Sequence, residues 1–127
     1  MKKLTSTLLG FALAIMAIPS ANASRGEAIA VGRQVIADVE RDSAFCARDT
    51  FRIDHIELGQ TLTYNTFLYK NAHYILAIGG DSKARDLDAV LYDENGNLID
   101  KDLRYNQSGL VEVTPRWSGT FYLKVKL

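Results

Sequence analysis

The chain of 127 residues has a single cysteine, Cys46, so no disulfide can close within it. Flanked by Phe45 and Ala47, Cys46 reads either as a small apolar residue of the interior or as half of a bridge to a second chain, a Cys46-linked dimer. A nucleophilic role has the least support, because no local pattern that would stabilise a thiolate accompanies it. Charge of one sign is also lacking. Fifteen Lys and Arg face fifteen Asp and Glu, scattered rather than gathered into blocks, which excludes the polyanion grip needed for nucleic acid or an anionic membrane surface. No apolar run reaches the roughly 18 to 20 residues that span a bilayer. There is no Gly-x-Ser-x-Gly elbow for acyl transfer. The only two histidines, His55 and His73, fall on separate segments without a partner at metal-ligand spacing. No catalytic constellation and no cofactor motif emerges.

The amino terminus carries the most definite pattern. Met1-Lys2-Lys3 is basic, Leu8 to Ile18 is apolar, and Pro19-Ser20-Ala21-Asn22-Ala23 closes with small residues at the spacing a signal peptidase reads. Residues 1–23 are therefore expected to be a cleaved leader, with the mature chain beginning at Ser24 in the periplasm or outside the cell. No cysteine stands at the cut, which removes lipid attachment. Removing residues 1–23 leaves 104 residues with 13 basic and 15 acidic side chains, enough for one domain with its own core.

Two hydrophobic periods divide the mature sequence. Ala28, Val31, Val35 and Val39, widened by Ile29 and Ile36, recur at helical steps and predict an amphipathic helix within residues 24–48. Ser24 and Glu27 match a capping box, while Gly26 and Gly32 weaken the helix by about 1 kcal/mol each. From residue 49 onward the period is two, punctuated by turns, as in an all-β sandwich or barrel. Strands are expected over 51–58, 61–68, 73–78, 87–92, 97–101, 110–114 and 120–127. The parity of these strands puts Leu76, Ile78, Leu91, Phe121, Leu123 and Val125 in the core. Asp93-Glu94-Asn95-Gly96-Asn97 is a hairpin turn.

Two groups of residues could carry a site. Asp81, Asp86, Asp88 and Asp93 supply carboxylates around loop and strand ends, hard donors that suit calcium and not zinc or copper. They equally suit turns that bond their own backbone. Tyr92 and Tyr122 lie on the parity facing away from the core, and Trp117 lies in a turn beside Arg116. These three form either an aromatic platform for a polysaccharide or protein ligand or simple cover for the sandwich.

The runs Tyr74-Ile75-Leu76-Ala77-Ile78-Gly79-Gly80-Asp81, Asp86-Leu87-Asp88-Ala89-Val90-Leu91-Tyr92-Asp93-Glu94-Asn95-Gly96-Asn97, Val113-Thr114-Pro115 and Ser118-Gly119-Thr120-Phe121-Tyr122-Leu123-Lys124-Val125 occur in an order that resembles the bacterial pre-peptidase C-terminal (PPC) domain over roughly residues 51–127. The resemblance implies a jelly-roll-like antiparallel β-sandwich, here preceded by one amphipathic helix. It also implies a module that binds substrate or matrix for a secreted peptidase and in some members holds calcium. Its Asp-x-Asp step singles out Asp86 and Asp88 as metal ligands, with Asp81 nearby to complete the shell. The expected function is thus a non-enzymatic binding or interaction module of PPC type. The alternatives are a calcium-dependent module for a glycan or protein and a partner or regulator of a secreted peptidase; a small hydrolase has the least support.

Overall fold

The computed structural model of the protein describes residues 10–19, 25–42 and 45–127. In chain order the elements are β1 (Gly10–Pro19), α1 (Arg25–Asp42), β2 (Phe45–Ile56), β3 (Thr61–Leu68), β4 (His73–Gly80), β5 (Asp88–Tyr92), β6 (Leu98–Asp102), β7 (Ser108–Val113) and β8 (Gly119–Lys126). The strands form two four-stranded sheets, ordered β2-β1-β4-β7 and β3-β8-β5-β6. Their inner faces share one core, to which the first sheet gives Tyr74, Leu76, Ile78 and Val111 and the second gives Leu91, Phe121, Leu123 and Val125. The described residues form a mostly β sandwich with one helix.

Alternation in the sequence produces this packing directly. Along β8, Phe121, Leu123 and Val125 are buried while Tyr122, Lys124 and Lys126 point outward, because successive side chains of a strand leave opposite faces. All six residues expected in the core are buried. β4 is apolar on both faces because both are covered. Tyr74, Leu76 and Ile78 meet the opposite sheet, and α1 packs on the outside, reaching β4, β1 and β2. Gly96 closes the β5–β6 hairpin at a φ of 84° and Asn71 turns the chain between β3 and β4 at 66°, a conformation that Gly and Asn tolerate best.

Three elements add to or differ from the sequence expectation. α1 ends at Asp42, and β2 begins at Phe45 instead of Phe51. The added stretch of β2, Phe45-Cys46-Ala47, pairs with Gly10-Phe11-Ala12, so partner strands rather than local pattern decide its conformation. Ser24, the expected cap of the helix and start of the mature chain, lies outside the described residues. Residues 10–18 of the apolar run expected as a leader belong to β1, which lies between β2 and β4 and runs parallel to both. Ile15, for example, is opposite Arg52 on one side and Ile78 on the other. The remaining pairings, β3 with β8, β4 with β7, and β5 with both β6 and β8, are antiparallel.

Where β6 ends one sheet and β7 ends the other, side chains replace a strand ladder. The Leu110 N–H donates to Asp102 Oδ2 at 3.0 Å and the Glu112 N–H donates to Asp100 Oδ2 at 2.9 Å. Alternate backbone donors of the β7 edge are thereby occupied, which blunts its capacity to pair with another chain. Asp102 is almost fully buried. It also accepts from Arg104 through both oxygens, at 2.9 Å from Nε and 2.6 Å from Nη2. These bonds, led by the Arg104 side chain, hold its carboxyl down to about 2 although burial opposes them.

Candidate ligand-binding face

The outward face of the β3-β8-β5-β6 sheet lies opposite the sheet that α1 packs on. Tyr122 of β8 and Tyr92 of β5 are register partners on this face, and both are half-buried. The same row continues to exposed Asn65 on β3 and exposed Leu98 on β6. One step along the strands, Lys124 of β8 is the partner of Thr63 on β3 and Val90 on β5. Its ammonium stands 5.5 Å from the centre of the Tyr92 ring, a cation–π distance. Tyr92, Tyr122, Lys124, Thr63, Asp93, Glu94 and Gly96 line a shallow groove of about 440 Å³.

The β5–β6 turn builds one wall of that groove. The Asp93 carboxylate accepts from the Asn95 and Asn97 N–H groups at 2.9 Å each and from Asn97 Nδ2 at 3.0 Å. Burial works to raise its pKa, yet these bonds outweigh burial and leave it below the ordinary carboxylate value. With Asp93 fixing the turn, Glu94 reaches across β8 and accepts from Trp117 Nε1 at 3.0 Å. Gly119 makes this reach feasible, since a Cβ there would stand 2.8 Å from Glu94 Oε1 and 3.2 Å from the Trp117 ring. Trp117 itself stacks on the core residue Phe121 with centroids 6.4 Å apart and keeps 37% of its surface exposed. The structure therefore brings Tyr92 and Tyr122 together, and ties Trp117 to the same groove through Glu94.

Against known proteins, no family model matches the chain, and no curated protein matches it.

The expected metal ligands are less unified. Asp81 is buried and accepts from the Lys83 N–H at 3.0 Å and the Ala84 N–H at 3.3 Å, an Asx turn that fixes its own loop. Asp86 and Asp88 do share a pocket of about 510 Å³ at one end of the sandwich, but Lys83, Arg85 and Lys126 line it too. Asp88 Oδ1 is buried with no hydrogen-bond partner. Burial, reinforced by the neighbouring Asp86 charge, raises its pKa, with Lys126 acting the other way. Among the described residues no three His, Cys, Asp or Glu side chains come together as a metal site.

The histidines lie elsewhere. His73 on β4 is bonded to Glu112 on β7, Nε2 to Oε2 at 2.6 Å, and His55 belongs to β2. Cys46 is in β2, opposite Phe11 of β1. Two exposed aromatics outside the expected site, Phe67 and Tyr69, have rings that meet edge to face at 5.3 Å. The signal was available, because Phe67 stands on the outward parity of β3.

Proposed function

We propose that this chain is an exported, non-enzymatic binding module of the PPC type, and that it engages its ligand with the outward face of the β3-β8-β5-β6 sheet. The observation that carries the reading is the cross-strand Tyr92–Tyr122 pair, bordered by Lys124 and Glu94 in a groove. Aromatic rings left half in water on an inner pair of strands contribute little to the core, yet they offer a rigid apolar surface with a hydroxyl at its rim. The two-sheet sandwich agrees with what the PPC resemblance implies, whereas the parallel pairing of β1 with β2 and β4 departs from an antiparallel jelly roll. Export rests on the basic, apolar, small-residue order of residues 1–23. Amino-terminal sequencing of the exported protein should begin at Ser24; material retaining Leu8 to Ile18 would count against export by this route.

The binding test replaces Tyr92 and Tyr122 together with alanine. Both side chains stand outside the core cluster, so the variant should keep a cooperative unfolding transition. Retention of the exported protein on an isolated cell-envelope fraction should fall sharply for the variant. Equal retention of variant and wild type would place the ligand surface elsewhere.

A calcium-dependent form of the module draws on one observation, the unpartnered buried Asp88 Oδ1 beside Asp86. A calcium ion there would take up the charge that Lys126 now balances in part.

A further inference from the structure

We infer that the ligand of this groove is an uncharged polysaccharide; this rests on the binding face proposed above and names its ligand class. Three features of the groove converge on that chemistry. Its lining includes the cross-strand Tyr92–Tyr122 pair, and the electron-rich face of a phenol ring attracts the slightly positive C–H groups of a sugar ring. The lining also has donors and acceptors together: the Lys124 ammonium, the Thr63 hydroxyl, two phenol hydroxyls and the Glu94 carboxylate, of which one oxygen already accepts from Trp117. Hydroxyl groups, which donate and accept at once, need such a mixture.

Charge balance then narrows the class. Lys124 shares the lining of the groove with Glu94 and the turn-bonded Asp93, so opposite charges are mixed there and neither a polyanion nor a polycation meets a field of opposite sign.

Backbone geometry disfavours a peptide. Tyr92 and Tyr122 stand on β5 and β8, the two inner strands of their sheet, whose main-chain groups are already paired on both sides. At the seam with the other sheet, Asp100 and Asp102 occupy donors of β7. An extended peptide laid on this face would lose water from its own amides without gaining a ladder. A sugar chain's hydroxyls can instead be met by the side-chain donors and acceptors that line the groove. Lys124 leaves the Tyr92 ring as the sugar arrives, and the cation–π contact it gives up is offset when its ammonium bonds a sugar oxygen.

Native gel electrophoresis of the full chain through soluble polymers tests this. The gels contain hydroxyethylcellulose, dextran or glycol chitin as uncharged glycans, and polygalacturonate or poly-L-glutamate as charged comparisons. Retardation is expected in at least one uncharged glycan, and it should not change on raising salt from about 50 to about 300 mM, which shortens the Debye length and screens exposed charges. Tyr122→Ala should weaken that retardation about tenfold or more, as loss of a central aromatic anchor does, while Lys101→Ala, on the same face but outside the groove, should not. No retardation in any of the three uncharged glycans overturns the inference. Retardation by poly-L-glutamate alone that Tyr122→Ala abolishes also overturns it, while leaving the binding face intact. Retention on the envelope fraction that ignores Tyr92 and Tyr122 defeats the face itself. Circular dichroism on each variant guards against misfolding, and Tyr122→Phe, which keeps the ring, should retain most of the retardation.

Discussion

Gly79 of β4 lies so close to Gly32 of α1 that a Cβ on Gly79 would stand 2.7 Å from the Gly32 backbone nitrogen and 2.9 Å from its Cα. The helix crosses the sheet at two residues without side chains, and neither backbone can retreat cheaply. Gly79→Ala should therefore destabilise the protein by about 1 to 3 kcal/mol, the usual cost of overpacking. Gly26 sits in the same helix, and a Cβ added there would meet nothing within 4 Å. Gly26→Ala should instead stabilise, by up to about 1 kcal/mol. Urea unfolding of the pair, which should move in opposite directions, checks both.

Asp102 makes the β6–β7 seam dependent on pH. Its folded-state pKa, about 2, lies below the ordinary carboxylate value. The unfolded chain thus binds the proton first, and the contribution is fully present above about pH 4 and lost as pH falls through about 2. The difference corresponds to about 2 kcal/mol for a side chain this buried. Asp102→Ala should lower stability at pH 7 by an amount of that order and flatten the acid limb of the stability profile. Thermal unfolding from pH 2 to pH 7 for both proteins provides the measurement.

Asp88 should behave in the opposite sense. Its raised pKa means the folded chain holds the proton more firmly than the unfolded chain, so stability falls as pH rises through the window above the ordinary carboxylate value. Asp88→Asn is expected to raise the unfolding midpoint at pH 7 and to leave it nearly unchanged at pH 3. The same side chain decides the calcium question. Binding to the folded state alone would add about 2.7 kcal/mol at a hundredfold excess over Kd. Identical midpoints for wild type in excess calcium and in excess chelator would leave Asp86 and Asp88 without a metal role.

Leu123 is fully buried on β8, which pairs with β3 on one side and β5 on the other. Leu123→Ala should cost about 2 to 5 kcal/mol, read by chemical denaturation. A loss below about 0.5 kcal/mol would mean that the site collapses around the truncation, contrary to a core of ordinary packing density.

Short-range pattern made much of this fold legible. The two-residue alternation of Thr120 to Leu127 dictates which side of β8 is dry, and the unbroken apolar run at Tyr74 to Ile78 marks β4 as covered on both faces. The same parity put Tyr92 and Tyr122 outside the core, but their direct pairing depends on the register of β5 against β8, which no local pattern encodes. Gly32 illustrates the limit more sharply. By propensity it is a weakness in a helix, and only the approach of Gly79 from a strand far along the sequence shows why a side chain is missing there. The Asp100 and Asp102 bonds to β7 were likewise hidden, because an acidic residue in a polar connection gives no hint of the distant N–H it accepts from. Residues 10–19 are apolar without alternation, so composition suggests a leader, and pairing with β2 and β4 supplies what the sequence alone cannot.

The placement of β1 has a consequence for timing. The ten residues of Gly10–Pro19 are central to a sheet, held on one side by β2 and on the other by β4, and they include most of the apolar run that an export machinery would have to grasp. If the same run serves as the export signal proposed above, folding and targeting compete for one segment. A chain that completes its sandwich before reaching the membrane has hidden its own address, and a chain that is exported and trimmed must close the gap between β2 and β4 without the strand that first filled it. Slow closure of the sheet in the cytoplasm would favour delivery, and a holding chaperone would do so by keeping β4 from finding its neighbour.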